Sequence, residues 1–594
     1  MSSILGISAF YHDSAACLIK DGEIIGAIQE ERFTRIKHDE SFPKNSIKYL
    51  LEESNLKLNE LDEIIFYEKP FIKFERIIET YLSEAPFGFK FFFKSLPIWI
   101  KDKLFLKQNI VKQFKEIDIT FNKPINFSEH HYSHAASAFY PSPFKKSIVL
   151  TLDGVGEWAT TTVAKGDGND LEILKEIHFP HSIGLLYSAF TYYTGFKVNS
   201  GEYKLMGLAP YGEPKFKKII YENLIDIKDD GSYKLDMSYF DYATGLKMTN
   251  SKFNDLFKNN QRLYGDNNIT KDQMNIASSI QQVTEEIILK ICRNIKIETG
   301  SKNLCLAGGV ALNCVANGKI IKEKIFDNIW IQPASGDAGG SLGACLAYWH
   351  NELNADRPLK KDNYSDNMRG SLLGPEFDDD EIEKFLNKNN VNFKKLNDND
   401  LYQIVSEEII NGKAIGWFQG RMEFGPRALG NRSIIADARS EKMQRNLNLK
   451  VKFRESFRPF APIVLEEKTK EYFDINETSP YMLKVAKINN IKILNETENR
   501  LTEGFDRLKV KRSEVPAVTH VDYSARIQTV NSVENPKLHR LLKTFYEKTN
   551  CPILINTSFN INNEPIVCNL EDAFNCFKKT NIDTLVLGNF IISK

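Results

Sequence analysis

The sequence has no excess charge of either sign and no closely paired cysteines. Lysine and arginine together number 78, as do aspartate and glutamate, so the formal net charge is zero. A neutral chain has no overall electrostatic attraction to nucleic acid or to an anionic membrane surface, so neither is expected as a partner. The eight cysteines form no C-x-x-C pair and mostly lie in apolar runs. This usage indicates buried, reduced thiols in a cytoplasmic protein.

Long hydrophobic runs are also scarce. The N-terminal residues pass directly into a predicted strand without a basic segment and a long apolar run, so no signal peptide is expected. The aromatic segment 86–100 is interrupted by two lysines and by prolines, and it is too short to span a bilayer. We predict a helical hairpin packed on the core, or a partner surface, for this segment.

A chain of 594 residues is too long for one hydrophobic core and predicts at least two domains. Near residues 351–372 the sequence becomes polar and loses its periodic apolar positions. Such a stretch is typical of an inter-domain connection. We therefore predict a first domain over residues 1–355, a linker over 356–372 and a second domain over 373–594.

The first domain repeats one strand–turn–strand plan. A polar turn or a hairpin signal such as Lys20-Asp21-Gly22 separates the strands, which are predicted at residues 4–10, 15–19, 24–28, 147–153 and 159–164. A later strand from Leu304 ends in a Gly-Gly turn that opens a helix. This order is the plan of actin-like ATPase domains, whose turns face a nucleotide. Strands and helices also alternate in the second domain, so both domains are predicted to be α/β.

Three of the ten histidines lie within the five residues 130–134. The alanines and serines that follow are compatible with a helix, which would place His130 and His134 on one face. Two neutral imidazoles in this arrangement are able to bind one metal ion. Asp153 and Asp337, each at the end of a strand or in a tight turn, would complete a set of two nitrogen and two oxygen ligands. That set suits iron, zinc or manganese, and a turn or cap role for either aspartate is the alternative.

Two glycine-rich segments are candidates for ligand contact. Gly308, Gly309 and Asn313 precede a helix, where backbone amides favour anions, although tight packing of strand on helix is an equal alternative. Gly201, Glu202 and Lys204 lie in a predicted loop over residues 199–212. A solvated Glu–Lys pair is the alternative there, but glycine-rich loops with charges frequently contact ligands.

The second domain concentrates basic residues in one segment. Seven arginines lie between residues 421 and 458, with Lys450 and Lys452 among them. Glycine, proline and aromatic residues separate them, rather than acids at helical spacing, which favours binding of a concentrated anion such as a polyphosphate or carbamoyl phosphate. The segment 556–560 offers further amide and hydroxyl donors.

His12, beside Asp13, lies in the first turn of the chain. Its ordinary pKa near 6.5 would allow it to accept a proton from a hydroxyl group. A histidine that only makes structural hydrogen bonds is the alternative.

Several motifs, in order along nearly the whole chain, closely resemble the NodU/CmcH/TobZ family of O-carbamoyltransferases. They are Tyr11-His-Asp-Ser-Ala-Ala, His130-His-Tyr-Ser-His-Ala-Ala-Ser-Ala-Phe, Leu152-Asp-Gly, Gly201-Glu-Tyr-Lys-Leu-Met-Gly-Leu-Ala-Pro-Tyr-Gly, Gly308-Gly-Val-Ala-Leu-Asn, Gly336-Asp-Ala-Gly-Gly and Arg421-Met-Glu-Phe-Gly-Pro-Arg-Ala-Leu-Gly-Asn-Arg-Ser. The resemblance implies a Kae1-like, actin-type first domain and a YrdC-like second domain. The second would make carbamoyl adenylate from carbamoyl phosphate and Mg-ATP. The first would transfer the carbamoyl group to a hydroxyl of a sugar, antibiotic or other secondary metabolite.

The resemblance also assigns residues. The metal ligands would be His130, His134, Asp153 and Asp337, with iron preferred over zinc or manganese, and His12 with Asp13 would act at the acceptor hydroxyl. The carbamoyl adenylate contacts of the first domain would be Gly201, Glu202, Lys204, Gly308, Gly309 and Asn313. The ATP and carbamoyl phosphate contacts of the second would be Arg421, Arg427, Lys452, Arg458, Arg526 and Ser558. Region 66–125 matches no motif and is left open between acceptor selection and a homodimer interface.

Two other classes compete with this interpretation. A threonylcarbamoyl enzyme acting on tRNA would predict a basic face, and a hydrogenase-maturation enzyme would require C-x-x-C zinc motifs. The neutral chain and its cysteine spacing support neither. A non-catalytic relative would be expected to have lost some of the metal, glycine and arginine motifs.

Overall fold

The computed structural model describes residues 2–86, 88, 92–93, 96, 104–266, 268–357 and 365–594. The chain forms two compact units. Unit 1 comprises Met1–Glu30 and Glu40–Leu359, and unit 2 comprises Glu31–Asp39 and Lys360–Lys594. Most of the aromatic segment 86–100, and therefore its predicted hairpin, lies outside the described residues. No helix within the described ranges combines the length and the apolar character needed to cross a bilayer.

Two five-stranded sheets and a small two-stranded sheet form the β-structure described in unit 1. The strands of the first five-stranded sheet are β1 Ser3–Ser8, β2 Ala15–Lys20, β3 Glu23–Gln29, β4 Glu63–Phe66 and β5 Asn126–Phe127. The later strands are β6 Lys146–Leu152, β7 Ala159–Asp167, β8 Asp170–His178, β9 Ile225–Ile227, β10 Tyr233–Leu235, β11 Asn303–Ala307 and β12 Asn328–Ile331. The strand pairs predicted around Lys20-Asp21-Gly22 and after Asp153 are confirmed.

Both five-stranded sheets have the same strand order. The first is β3-β2-β1-β4-β5 and the second is β8-β7-β6-β11-β12. In each, the first three strands are antiparallel and the last three are parallel. This duplication confirms the predicted actin-like α/β class. Ligands of open parallel sheets bind beyond the carboxyl ends of the strands. The turns after β1, β6 and β11, which contain His12, Asp153 and Gly308, therefore become the candidate site.

Helices cover these sheets. The α-helices of unit 1 are Lys44–Ser54, Pro70–Ser83, Leu106–Ile117, His130–Phe139, Ile183–Tyr193, Glu202–Leu208, Lys217–Asn223, Ser251–Leu256, Lys271–Thr299, Cys314–Lys322 and Asp337–Ala347. Helices His130–Phe139 and Asp337–Ala347 pack closely because Gly343 has no side chain. A Cβ at Gly343 would lie 1.7 Å from the carbonyl oxygen of Ser133. This close approach brings the start of one helix to the histidines of the other.

Unit 2 contains a nine-stranded mixed sheet in the order β13-β21-β20-β14-β15-β19-β16-β18-β17. Its strands are β13 Lys394–Lys395, β14 Ile415–Phe418, β15 Arg432–Asp437, β16 Ala461–Leu465, β17 Lys484–Lys487, β18 Ser524–Val530, β19 Ile553–Ser558, β20 Thr584–Leu587 and β21 Phe590–Ser593. Its α-helices are Glu31–Thr34, Asp379–Lys388, Asp398–Ile410, Met443–Asn446, Thr469–Tyr472, Glu496–Leu501, Pro536–Thr549 and Leu570–Lys579. The predicted α/β class is confirmed here too.

The described ends of the predicted linker are ordered parts of the two units. In unit 1, the Arg357 guanidinium donates to the carbonyl oxygens of Tyr140 at 3.0 Å and Phe144 at 2.8 Å. In unit 2, the Asp366 carboxylate accepts a 2.7 Å hydrogen bond from the hydroxyl of Tyr481, and Met368 is buried. Only residues 358–364, which lie outside the described ranges, separate these anchored ends.

Candidate metal centre and anion-binding residues

Helix His130–Phe139 presents two imidazoles from consecutive turns. The Glu157 carboxylate accepts a 3.1 Å hydrogen bond from the amide of His130 and so stabilises the first turn of this helix. The i,i+4 spacing brings the Nε2 atoms of His130 and His134 to 3.1 Å from each other. Both side chains are buried. At this distance, one of the two nitrogens is able to donate a hydrogen bond to the other.

The two aspartates approach the same point from different elements. Asp153 directly follows β6, and its Oδ2 lies 3.1 Å from His130 Nε2. Asp337 is the first residue of helix Asp337–Ala347, and its Oδ1 lies 3.7 Å from His130 Nε2 and 3.6 Å from His134 Nε2. The structure therefore brings together all four side chains that the sequence predicted as metal ligands.

These four side chains fit a divalent metal ion. One ligand atom from each lies within 4.8 Å of the others. Ligands about 2.1 Å from one ion lie roughly 3.0–3.5 Å from each other, which is close to the spacing here. Burial alone would raise the pKa of Asp153, but His130 and His134 outweigh it and hold that pKa well below its usual value. A buried pair of carboxylates facing two ring nitrogens is the environment that a cation stabilises.

Buried polar groups surround the four side chains. The hydroxyl of Tyr67 donates a 3.2 Å hydrogen bond to Asp337 Oδ2. Glu68 Oε2 lies 3.9 Å from His130 Nδ1 and forms an ion pair with Lys73 at 2.5 Å. Sequence reasoning missed Tyr67, Glu68 and Glu157. The apolar run that ends at Tyr67-Glu68 and the small-residue turn before Glu157 were the only signals for them.

His12 lies at the edge of this group. Its Nδ1 is 3.1 Å from Asp13 Oδ2 and its Nε2 is 3.9 Å from Asp337 Oδ2. Burial alone would lower the pKa of His12, but Asp337 and Asp13 raise it to about 10. A cation held by Asp337 would offset the negative charge of that carboxylate and so lower the pKa of His12. His12 would then be neutral, and able to accept a proton, down to a lower pH.

His131 occupies a different environment from its two neighbours. Its Nδ1 lies 3.4 Å from the hydroxyl of Thr162, and burial holds its pKa well below the usual value. It contacts Thr162 and is not among the four grouped side chains, so it is a packing residue.

The segment predicted as a loop over residues 199–212 contains helix Glu202–Leu208. The loop prediction is wrong for residues 202–208, and Glu202, the first residue of this helix, holds the turn that precedes it. Its carboxylate accepts hydrogen bonds from the Ser188 hydroxyl at 2.9 Å, the Asn199 amide at 3.1 Å and the Gly201 amide at 3.1 Å. The Lys204 ammonium lies 5.9 Å from the ring centroid of Phe196. Glu202 is thus an anchor of the turn, and the Glu–Lys pairing that the sequence left open does not describe it.

The Gly308–Asn313 segment is tied to the metal centre. The amide of Gly309 donates a 3.0 Å hydrogen bond to Asp153 Oδ1, so this amide orients a candidate ligand. Asn313 caps helix Cys314–Lys322 by accepting from the amide of Ala316 at 3.1 Å, and it exchanges hydrogen bonds with Gln281. A short 3₁₀ turn, Gly309–Leu312, separates β11 from that helix. Tight packing is observed at Gly308, where an added Cβ would lie 2.2 Å from the carbonyl oxygen of Leu152, and ligand contact by this segment stays a prediction.

We expect Gly308→Ala to destabilise the chain. Gly308 has φ +83°, and a Cβ there would lie 2.2 Å from the carbonyl oxygen of Leu152. Backbone strain and overlap together should cost about 3 kcal/mol or more. The comparison variant Gly300→Ala has φ +63° with no atom near the added Cβ, and it should cost only about 1 kcal/mol. Calorimetric unfolding of both full-length variants measures the difference, and equal losses would contradict the steric argument.

In unit 2, Lys452 and Ser558 lie together at the end of β19. The buried ammonium of Lys452 donates to the Ser558 carbonyl at 2.7 Å, to its hydroxyl at 3.2 Å and to the Asn560 carbonyl at 2.8 Å. Burial, and then the charge of Arg454, hold the pKa of Lys452 well below its usual value. A buried cation with neutral oxygens around it is stabilised by an added anion.

The other predicted anion ligands of unit 2 have separate surroundings. Arg458 lies 2.6 Å from Glu455, and Arg421 lies 3.7 Å from Glu376. Arg427 is half-buried in the turn before β15, and Arg526 is half-buried on β18. The structure places Arg458 within the electrostatic environment of Lys452.

The arginine-rich segment as a whole is not one anion-binding surface. Arg432 is fully buried, where it donates to the carbonyl oxygens of Gln419 and Gly420 and lies over the ring of Phe418. Arg439 forms an ion pair with Asp437 at 2.7 Å. The prediction that the seven arginines all face an anion is therefore wrong, because long-range packing pairs some of them with backbone carbonyls or acids.

One basic residue near Lys452 was missed by sequence reasoning. Lys37 is distant in sequence, yet its charge contributes to lowering the pKa of Lys452, after burial and Arg454. It belongs to Glu31–Asp39, which the structure assigns to unit 2. Its basic neighbours Arg32 and Arg35 were the only signal in the sequence.

Known proteins align with this chain over almost all of its length. An uncharacterized protein of Synechocystis sp. is 54% identical over 100% of this chain and 97% of its own length. Nodulation protein NolNO of Sinorhizobium fredii is 35% identical over 99% of this chain and 80% of its own length. Among solved structures, the activator of the 2-hydroxyisocaproyl-CoA dehydratase from Clostridium difficile aligns with a TM-score of 0.31 and 13% identity, over 59% of this chain and 96% of that one.

Two family domains match successive parts of the chain. Residues 3–346 match the domain described as Carbamoyltransferase N-terminus, which contains the four candidate metal ligands. Residues 406–594 match Carbamoyltransferase C-terminus, which contains Lys452 and Ser558. Because the sequence motifs, the two family-domain matches and the 35% identity to NolNO agree, the chain belongs to the carbamoyltransferase family.

Proposed function

We propose that this protein is an ATP-dependent O-carbamoyltransferase in which unit 2 makes carbamoyl adenylate and unit 1 transfers the carbamoyl group to a hydroxyl. Water would cleave carbamoyl phosphate to carbamate and phosphate. A carbamate oxygen would then attack the α-phosphorus of ATP and release pyrophosphate. In unit 1, the acceptor hydroxyl would lose its proton and attack the carbamoyl carbon, and AMP would leave.

The observation that carries this proposal is the buried group of two histidines and two aspartates beside His12. The group would hold one divalent ion, with iron preferred over zinc or manganese. When bound, such an ion supplies Lewis-acid stabilisation of negative charge on the reacting phosphoryl or carbonyl oxygen. Gly309 holds Asp153 and Tyr67 holds Asp337, so the donors are oriented before any ligand arrives.

His12 is the proposed base of the transfer step. Its Nε2 is directed toward the Asp337 side of the metal centre, and Asp13 holds its other ring nitrogen at 3.1 Å. With Asp13 hydrogen-bonded to Nδ1, Nε2 is the nitrogen that accepts the hydroxyl proton. Replacement of His12 should therefore reduce transfer more than it reduces adenylate formation.

In unit 2, the proposed anion ligands are Lys452, Ser558 and four arginines: Arg421, Arg427, Arg458 and Arg526. Lys452 supports this role because a buried ammonium surrounded by neutral oxygens gains stability from an incoming phosphate or carbamate. The carbamoyl adenylate contacts proposed for unit 1 are Gly201, Glu202, Lys204, Gly308, Gly309 and Asn313. Glu202 and Asn313 would act there by holding backbone amides in place.

A direct assay tests this function. The full-length protein is incubated with Mg-ATP and carbamoyl phosphate, alone and with a panel of sugars and other hydroxyl-bearing metabolites. We expect pyrophosphate without an acceptor, and AMP with a carbamate ester when a suitable acceptor is present. Absence of pyrophosphate from metal-loaded protein supplied with carbamoyl phosphate would contradict the proposal.

A further inference from the structure

The nine residues Glu31–Asp39 connect two elements of unit 1 but belong to unit 2. We call them the strap. They follow β3 and precede helix Lys44–Ser54. At the base of the strap, in unit 1, the buried Glu30 carboxylate accepts from the amides of Asn45 at 3.0 Å and Ser46 at 2.8 Å. The residue that precedes the strap is therefore held in place by hydrogen bonds within unit 1.

Arg32 attaches the strap to unit 2. Its side chain is 2% exposed, and its Nη2 donates a 2.7 Å hydrogen bond to the carbonyl oxygen of Gly425. Its Nη1 lies 2.9 Å from the Glu31 carboxylate, whose other oxygen accepts a 2.8 Å hydrogen bond from the amide of His38. The strap itself thus orients the guanidinium toward Gly425.

Gly425 lies in the turn between Arg421 and Arg427, two of the proposed anion ligands. It has φ +118°, a conformation that favours glycine. On its N-terminal side, Phe424 and Ser371 exchange hydrogen bonds of 2.7 and 2.6 Å. The bond from Arg32 fixes the next carbonyl, so the backbone that carries both arginines is held by the strap as well as by its own unit.

Arg35 attaches the strap to the loop that follows β19 in unit 2. It donates to the carbonyl oxygens of Pro565 at 2.9 Å and Ile566 at 2.7 Å. The next residue, Val567, donates its amide to the Phe559 carbonyl at 2.9 Å. Phe559 immediately follows Ser558, which accepts from Lys452. The two strap arginines therefore contact the turn that carries Arg421 and Arg427 and the loop that follows Ser558.

We infer that Arg32 is a positioning residue for carbamoyl adenylate formation, and that the strap makes this half-reaction depend on a segment covalently joined to unit 1. The inference rests on the proposed function of unit 2. A shift of about 1 Å in a ligand-bearing loop is enough to cost about 100-fold in rate. Loss of the hydrogen bond from Arg32 to Gly425 would therefore act through Arg421 and Arg427, which flank that carbonyl.

The test compares Arg32→Ala, Arg32→Lys and Arg512→Ala in the full-length protein. Arg512 is the matched control, because it is equally buried in unit 2 and donates to the carbonyl oxygens of Arg507 and Val510. We expect Arg32→Ala to lower kcat for carbamoyl phosphate-dependent pyrophosphate release about 100-fold. Added guanidinium and the Arg32→Lys substitution should each restore part of the rate. Transfer from supplied carbamoyl adenylate and bound metal should stay within about twofold of wild type.

Hydrogen exchange of the backbone at residues 421–431 provides a second measurement that needs no catalysis. It should accelerate in Arg32→Ala and stay unchanged in Arg512→Ala. The inference would be overturned if Arg32→Ala kept the wild-type rates of hydrogen exchange and of pyrophosphate release. It would also be overturned if Arg32→Ala and Arg512→Ala lost pyrophosphate release to the same extent. If Arg32→Ala does not fold, Arg32→Lys decides between these outcomes. A wild-type protein that releases no pyrophosphate would contradict the proposed function, whereas exchange at residues 421–431 still tests the positioning by Arg32.

Discussion

Replacing His134 with alanine should remove the metal ion and abolish carbamoyl transfer while adenylate formation continues. His134 would supply one of the four proposed ligands; it is buried, and its Nε2 lies 3.6 Å from Asp337 Oδ1. Loss of one ligand in four should weaken metal binding by about 100-fold or more. The remaining aspartates and His130 would then face one another without a cation to offset their charge. Metal content by mass spectrometry and transfer from supplied carbamoyl adenylate measure both effects.

His131→Gln is the matched control for this experiment. His131 is buried on the same helix, but its ring contacts Thr162 and is not one of the four grouped side chains. We expect this variant to lose some stability and to keep its metal. A His134→Ala protein that keeps a full complement of metal would rule out the four-ligand site. If both half-reactions fell together, unfolding would explain the loss better than removal of a ligand.

Replacing Arg427 with glutamine should have the opposite effect, since adenylate formation should fall while carbamoyl transfer continues. Arg427 lies two residues after Gly425, in the turn that the strap and Ser371 hold. If its guanidinium stabilises charge on a phosphate or carbamate, its loss should lower pyrophosphate release about 100-fold. Transfer from supplied carbamoyl adenylate should remain, because the metal centre is untouched. A coupled assay for pyrophosphate and a direct transfer assay measure the two steps.

Arg439→Gln is the control within the same basic segment. Arg439 is paired with Asp437 at 2.7 Å, so its charge is already offset inside the protein. We expect a small change in pyrophosphate release, within about threefold of wild type, since partly exposed ion pairs contribute little. Equal effects of the two substitutions would show that Arg427 has no special relation to the substrate.

The difference between these two arginines shows where the sequence pattern was insufficient. Spacing along the chain shows whether an arginine has an acidic residue three or four positions away. It does not show that Arg432 folds back onto the carbonyl oxygens of Gln419 and Gly420. Those partners are set by the turn that β14 and β15 form, so only the folded sheet separates structural arginines from candidate ligands.

The loop predicted over residues 199–212 gives a second example. Its glycines and charges indicated a ligand-binding loop, yet Glu202 begins a helix there. The hydroxyl of Ser188, which helps to hold the Glu202 carboxylate, comes from a separate helix. The hydrogen bond from Ser188 joins two separate helices, and the spacing of residues within 199–212 does not contain that contact.

The sequence alone predicted the four side chains of the candidate metal centre and the succession of strands and turns that carries His12 and Asp153. The i,i+4 spacing of His130 and His134 follows from helix geometry, and strand periodicity places His12 and Asp153 at strand ends. The tertiary structure decided how near these groups come, because Gly343 lets two helices approach until Asp337 faces the histidines. It also decided that the strap belongs to unit 2. Local patterns record only neighbours within a turn or a strand, whereas both of these contacts join residues hundreds of positions apart.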